Sequence, residues 1–198
     1  YEIGYKMRGK NNYIETAIFY IDIEDELTPF EDSNKPGRTF YTNAGSSDRY
    51  GFEIMAANKI NDQLKYSTSY TYSNFKFDSF KDINDKIHDN NYTPGIPKHM
   101  INFDLSWSNH YGSYANFKTM YNSEIYADND NKNIVSSYSV SNFNFGRKII
   151  YKGLAINFFL GLKNIFNEKY NNNIRINAYG DRFFEPAPKR NIYSGITF

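Results

Sequence analysis

Cysteine is absent from this chain and tryptophan occurs once. Without cysteine there is no disulfide framework and no thiolate zinc site. Histidine is almost as scarce: His88, His99 and His110 share no metal-ligand spacing, so each is expected to be a surface or interfacial side chain. An excess of one charge is missing too. The 23 Lys and Arg against 22 Asp and Glu leave a formal net charge of +1. A nucleic-acid binder would carry a clustered basic excess, and an acidic tail the opposite; neither class fits. No apolar run approaches the roughly 18 residues of a membrane helix, and no stretch keeps helical spacing long enough to read as an amphipathic helix. There is no Gly-rich phosphate loop and no Ser/His/acid set on one face, so an enzyme is not expected. The chain opens on Tyr1 without the basic and apolar regions of a signal peptide. The expectation is a removed leader or a chain that starts inside a longer protein.

What is present in excess is aromatic. There are 19 Tyr and 17 Phe in a chain whose mean hydropathy is -0.71. The dominant sequence period is two, the period of a β-strand. In "LAINFFLGLK", Leu154, Ile156, Phe158, Leu160 and Leu162 take one face, with Ala155, Asn157, Phe159, Gly161 and Lys163 on the other. "MINFDLSW" sets Ile101, Phe103, Leu105 and Trp107 against Met100, Asn102, Asp104 and Ser106. "QLKYSTSYTY", "YGFEIMAANKI" and "YEIGYKM" alternate in the same way. "YIETAIFYIDI" is less clear; Ala17, Phe19, Ile21 and Ile23 are taken as its apolar face. About nine strands result. Their connections alternate in length. Short turns fall at 8–12, 61–63, 109–112 and 150–153, and long polar loops at 24–48, 78–97, 126–135 and 165–187.

A soluble β-sandwich also alternates apolar-in and polar-out. The regular short–long alternation instead fits an up-and-down meander with all turns at one end, as in outer-membrane barrels. Tyr and Trp near strand ends fit interfacial girdles, and the Ser/Asn/Thr-rich parity fits a wet lumen. The expected fold is therefore all-β: an antiparallel up-and-down transmembrane β-barrel segment, its apolar parity facing lipid. Bacterial single-chain barrels have an even strand count, so about nine strands imply part of a larger barrel of about 22 strands. The acidic and amide-rich runs "EDELTPFED" and "DNDN" (128–131) offer oxygen ligands but lack the spacing of a calcium loop, and are read as solvated. No metal site is expected.

Four stretches resemble one known family, the TonB-dependent outer-membrane receptors. "ELTPFEDSNKPGRTFYTNAGSSDRYGFEI" is similar to a receptor loop and the strand after it, and "YTPGIPKHMINFDLSW" to the Pro-Gly-x-Pro-basic-His lead-in of the next. "GLKNIFNEKY" and "RFFEPAPKRNIYSGITF" resemble the family's signature after the penultimate strand and its last strand with a terminal Phe. The resemblance implies that residues 1–198 are the C-terminal portion of the receptor barrel, with the plug domain and energy-coupling box lying outside this chain. It implies an active-transport receptor for a scarce nutrient, a ferric siderophore first, with the chain forming lumen wall and extracellular mouth. Partners would be outer-membrane lipid, the missing barrel and plug segment, TonB through upstream residues, and the barrel-assembly machinery through Ile192, Ile196 and Phe198. No cofactor is implied; a ferric chelate would be cargo. From the residues, Phe30, Arg38, Tyr41, Tyr92, Tyr126, Tyr179, Arg182 and Phe183 are the candidate ligand contacts, as rings and planar cations near the mouth. A passive pore, or an envelope binding protein without energy coupling, stays open as the alternative.

Overall fold

The computed structural model describes residues 1–198 except 33, 36 and 44, and of Asp181 only the backbone. Three positions of "ELTPFEDSNKPGRTFYTNAGSSDRYGFEI" therefore lie outside the described residues. The strands are β1 (Glu2–Arg8), β2 (Asn12–Glu24), β3 (Leu27–Glu31), β4 (Thr39–Asn43), β5 (Ser46–Lys59), β6 (Leu64–Ser79), β7 (His99–Ser108), β8 (Ser113–Asn122), β9 (Ile125–Tyr126), β10 (Ile134–Val135), β11 (Tyr138–Tyr151), β12 (Leu154–Lys163), β13 (Asn171–Ile174), β14 (Phe184–Pro186) and β15 (Asn191–Thr197). Nine of them make one antiparallel sheet in the order β1-β2-β5-β6-β7-β8-β11-β12-β15. Every sheet strand pairs with its predecessor, so the chain is a meander. Its outer strands β1 and β15 each have a single neighbour, and the sheet is an open wall.

Directly paired residues of an antiparallel ladder point to the same face, so the register reads out the faces. One row runs Tyr5, Thr16, Ile54, Tyr70, Ile101, Tyr121, Ser139. Another runs Leu64, Trp107, Ala115, Phe145, Leu160, Ser194. The intervening row Lys6, Glu15, Met55, Ser69, Asn102, Met120 is mainly polar. The apolar face is thus continuous across the wall, and it is bare. Leu154 is 50%, Phe158 43% and Leu160 53% exposed. A sandwich would bury these residues against a second sheet. Buried apolar side chains among the described residues, such as Phe77, Phe80, Ala127, Val140 and Phe183, sit at the loop end instead.

The expected parity of β2 is corrected. Ile14, Thr16, Ile18 and Tyr20 share the apolar face, since they pair with Ala56, Ile54, Phe52 and Tyr50; Ala17 and Phe19 lie on the polar one. The reason is local room. Phe19 covers Gly51 directly opposite and meets Phe75 edge-on, with centroids 6.1 Å apart. The same joint recurs on that face: Tyr114 covers Gly146, Tyr193 covers Gly161 and Phe159 covers Gly195, each directly across the strand. A ring there fills the space a missing Cβ leaves and pins the register.

The two stretches nearest the C-terminus hold each other. Asn164, buried and at φ 51°, accepts a bond from Glu168 N–H and donates through Nδ2 to the carbonyls of Glu168 and Pro188. Asn167 Oδ1 accepts from Arg190 N–H. "NIFNEKY" therefore clamps "PKRN" where the last loop meets β15.

Candidate functional site

Short turns close the sheet at one end; four long loops close the other, at 25–45, 80–98, 123–137 and 164–190. Three carry hairpins where the sequence pattern shows only polar loop: β3–β4, β9–β10 and β13–β14. Left-handed backbone at Asp85, Asn90, Asn131 and Asn177 turns the chain between them, as Asn and Asp tolerate best after Gly.

Amide side chains join the loops. Asn177 Nδ2 donates to Pro29 O at 2.8 Å, and its Oδ1 accepts from Asn129 N–H at 2.9 Å. Asn91 Nδ2 donates to Asn129 O, and Asn131 both accepts from Tyr92 N–H and donates to Tyr92 O. All four loops are tied by these bonds. "DNDN" is accordingly a structural knot and not the solvated loop expected: Asn129 is buried, and Asp128 accepts from the N–H groups of Lys132 and Asn133.

His88 corrects a second expectation, because it is 3% exposed. Its ring packs on Phe80, with Nε2 3.0 Å from Asp82 Oδ2 and Nδ1 3.2 Å from Asp130 Oδ1. The second contact lies outside hydrogen-bond geometry. Asp130 also pairs with Lys86 and, at 3.2 Å, with Lys132. Burial pushes the Asp82 carboxyl upward, but the bond from His88 and the N–H groups of Lys86 and Asn84 outweigh it and hold it below the usual range. Asp130 behaves alike: burial raises it, and Lys86 and Lys132 more than offset that. Among the described residues no group of three or more His, Asp or Glu is placed to hold a metal ion.

A depressed carboxyl contributes stability above its unfolded value, near pH 4, and loses it as pH falls through the folded value. The 80–98 and 123–137 loops should therefore stay joined from pH 7 to 5 and part below about pH 4. Spin labels on cysteines at Ile87 and Ile134, both exposed, would report a narrow distance distribution at pH 7 and a broad one at pH 3. An unchanged distribution at pH 3 would mean that the carboxylates do not hold the junction.

The four loops enclose a crevice of about 390 Å³, lined by Phe30 and Glu31, Phe80 and His88, Asn129 and Asp130, and Asn177 and Phe183. It falls within the size range of small-ligand sites and mixes apolar walls with a few polar groups. Of the candidate contacts, Phe30 and Phe183 line it; Phe30 packs on Phe40, and Phe183 is 6% exposed against Ala127 and Ala178. Arg182 stands at its rim, Nη2 3.5 Å from Glu31 Oε2 and Nε donating to Tyr179 O. Tyr179, Tyr41 and Arg38 are exposed. Tyr92 and Tyr126 are elsewhere, stacked at 5.6 Å beside a smaller pocket of about 170 Å³ that Lys98 and Glu124 share. Lys76 and Lys98 lie 4.8 and 5.7 Å from the Tyr92 ring centre. No periodic signal marks the Asn and Asp joints; their trace in the sequence is the clustering of Asn in "HDNNY" and "DNDNKN".

The profile of one family, described as TonB dependent receptor-like, beta-barrel, matches residues 1–165. The ferrioxamine receptor of Yersinia enterocolitica is 28% identical over 144 residues, which is 71% of this chain and 19% of that protein. The siderophore receptor PiuA of Acinetobacter baumannii superposes with a TM-score of 0.77 at 20% identity, covering 98% of this chain and 27% of that one. The copper transporter OprC gives 0.73 at 16% identity, over 98% of this chain and 29% of its own. The chain thus spans about a fifth of the curated relative and under a third of the solved ones.

Proposed function

Since the chain belongs to the TonB-dependent receptor β-barrel family, we propose that it is the C-terminal wall and mouth of an outer-membrane receptor that takes up a ferric chelate of the siderophore class. The family consists of transport receptors, not enzymes, and its barrels lie in the outer membrane. The carrying observation is the nine-stranded open meander, apolar on one face and polar on the other, with all four long loops tied at one end. Closure needs the rest of the barrel, and energy coupling needs a plug and a TonB-contacting segment, both upstream. Lipid covers the apolar face. The edge strand β15, with Ile192, Ile196 and Phe198, is offered to the barrel-assembly machinery. The ligand class follows the ferrioxamine receptor, a relative with sequence support; a shared fold alone would serve copper equally well.

Within the mouth, the contacts are Arg182 at the rim of the crevice that Phe30 and Phe183 line, Arg38, Tyr41 and Tyr179 exposed on the same two loops, and Tyr92 and Tyr126 as a second aromatic station. An Arg fork suits carboxylate or catecholate oxygens. Replacing Arg38 and Arg182 by Ala in the full receptor should each cost about 1.5–3 kcal/mol in binding, roughly tenfold to a hundredfold in affinity. Titration with ferric siderophores, and uptake with and without the coupling protein, check this. Uptake at full rate without coupling would make the parent a passive pore; unchanged binding in both variants would move the site elsewhere.

A further inference from the structure

On β8, β11, β12 and β15 a single charged residue stands on the outward face. Arg147 of β11 is paired with Phe158 and Ser113, which puts it on the apolar, outward parity. It is exposed, and none of the described residues forms an ion pair or hydrogen bond with its guanidinium. No outward position on β8, β11, β12 or β15 carries a carboxylate. An ionisable residue on a lipid-facing surface is costly and is kept where a partner meets it.

Arg147 opens into a groove of about 390 Å³. Its floor is the backbone of Gly146, Phe159 and Gly195, neighbours across three strands. Arg147, Phe158 and Ile196 form the row on the turn side, and Phe145, Leu160 and Ser194 the row on the loop side. Ser194 is the residue that breaks the apolar alternation of the last strand, and its small side chain lowers the wall there. The groove therefore has one cation at one corner, a hydroxyl at the other, and rings and aliphatic groups between.

We propose that this groove binds one phospholipid of the inner leaflet, with its phosphate on Arg147 and an acyl chain along Phe158, Leu160 and Ile196. Arg147 is five residues from Lys152 in the β11–β12 turn. At about 3.3 Å per residue and a tilt of about 40°, that is roughly 13 Å above the turn. An arginine at that depth reaches the headgroup layer by extending its stem toward the interface. A planar guanidinium takes a phosphate through two parallel bonds. The apolar remainder suits a hydrocarbon chain, and the volume is that of a ligand and not of a protein interface.

The site rests on the membrane placement proposed above, and the experiment separates the two. The delipidated full receptor is titrated in detergent with a diacyl phosphatidylglycerol and with the matched diacylglycerol, and bound lipid is counted by native mass spectrometry. Wild type should prefer phosphatidylglycerol. Arg147→Leu should lose about tenfold for phosphatidylglycerol and nothing for diacylglycerol. Ser194→Leu, which fills the groove, should weaken both. Lys148→Leu, one residue along on the polar face, should change neither, and unheated gels confirm that every variant is folded. Equal phosphatidylglycerol affinity in wild type and Arg147→Leu overturns the site alone. Displacement of the lipid by inorganic phosphate overturns the lipid as its occupant. Wild type that binds neither lipid overturns the site alone, and the membrane placement is tested apart from it by the stability in lipid of a charge on the outward face against one on the polar face.

Discussion

Leu160→Arg in the full receptor is expected to cost about 2–4 kcal/mol of folding stability in lipid, the range for a cation at the bilayer midplane of a barrel. Leu160 is outward and 53% exposed, with Phe145 and Ser194 as its cross-strand neighbours. It lies seven residues beyond Gly153 in the β11–β12 turn. At about 3.3 Å per residue and a tilt of about 40°, this is roughly 18 Å above the turn and near the centre of an apolar band about 25 Å tall. Asn144→Arg is the control. Asn144 is on the polar face at a comparable height, paired with Gly161 and Asn116, and a charge there meets water. Its cost should stay within about 0.5 kcal/mol, as for a solvated surface change. Reversible urea unfolding in lipid vesicles measures both. Equal costs would mean that the two faces are solvated alike and that no lipid covers Leu160. Phe158, at the centre of the same apolar run, is less clean. It sits two residues nearer the turn and directly opposite Arg147, so an arginine there also meets a like charge.

The wall was legible because a strand has only two faces. "LAINFFLGLK" and "MINFDLSW" alternate without a break, and the turn after "LSW" and the one before "LAI" lie where Asn109 and Gly153 interrupt the pattern. The reading failed on β2, where both parities hold apolar residues. What decides there is a glycine on the neighbouring strand, and no local pattern contains it. Phe19 faces the polar side because Gly51 leaves space for its ring. The loop cap was barely legible for a related reason. Its hairpins are short: β9 and β10 are two residues each, too short for a period to register, and Pro29 in β3 argues against a strand at all. His88 looked like a surface residue because one of the groups that bury it, Asp130, comes from another loop. The candidate rings and arginines were chosen by residue type and position along the chain. The fold separates them: Phe30 and Phe183 enter one crevice, and Tyr92 and Tyr126 stack beside another.

Phe183→Ala should cost about 3–5 kcal/mol of local stability in the loop cap, as for a buried ring replaced by a methyl group, while leaving the strands of the wall in place. Phe183 packs on Ala127, which is fully buried, and on Ala178, with Ile174 against them. Ala127 belongs to the 123–137 loop and the others to the last loop, so this one ring welds two loops. Asn177 beside it extends the weld to Pro29 in the first loop and to Asn129. Removing the ring opens a cavity beside small residues that cannot fill it, and the amide bonds lose the packing that shields them from water. Hydrogen exchange should accelerate together in Ile125–Val135 and Asn171–Pro186 and stay slow in Leu154–Lys163. Arg182→Ala is the matching control. Its guanidinium is half exposed and 3.5 Å from Glu31, an arrangement worth about 0–1 kcal/mol, so exchange should hardly move. The pair separates two ways of losing ligand. If Arg182→Ala lowers affinity with exchange unchanged, the side chain touches the ligand. If Phe183→Ala lowers affinity with exchange accelerated in both loops, the mouth must be assembled before anything binds. Unchanged exchange in Ile125–Val135 after Phe183→Ala would mean that the two loops move independently, and the crevice between them would then lose its claim to be a preformed site.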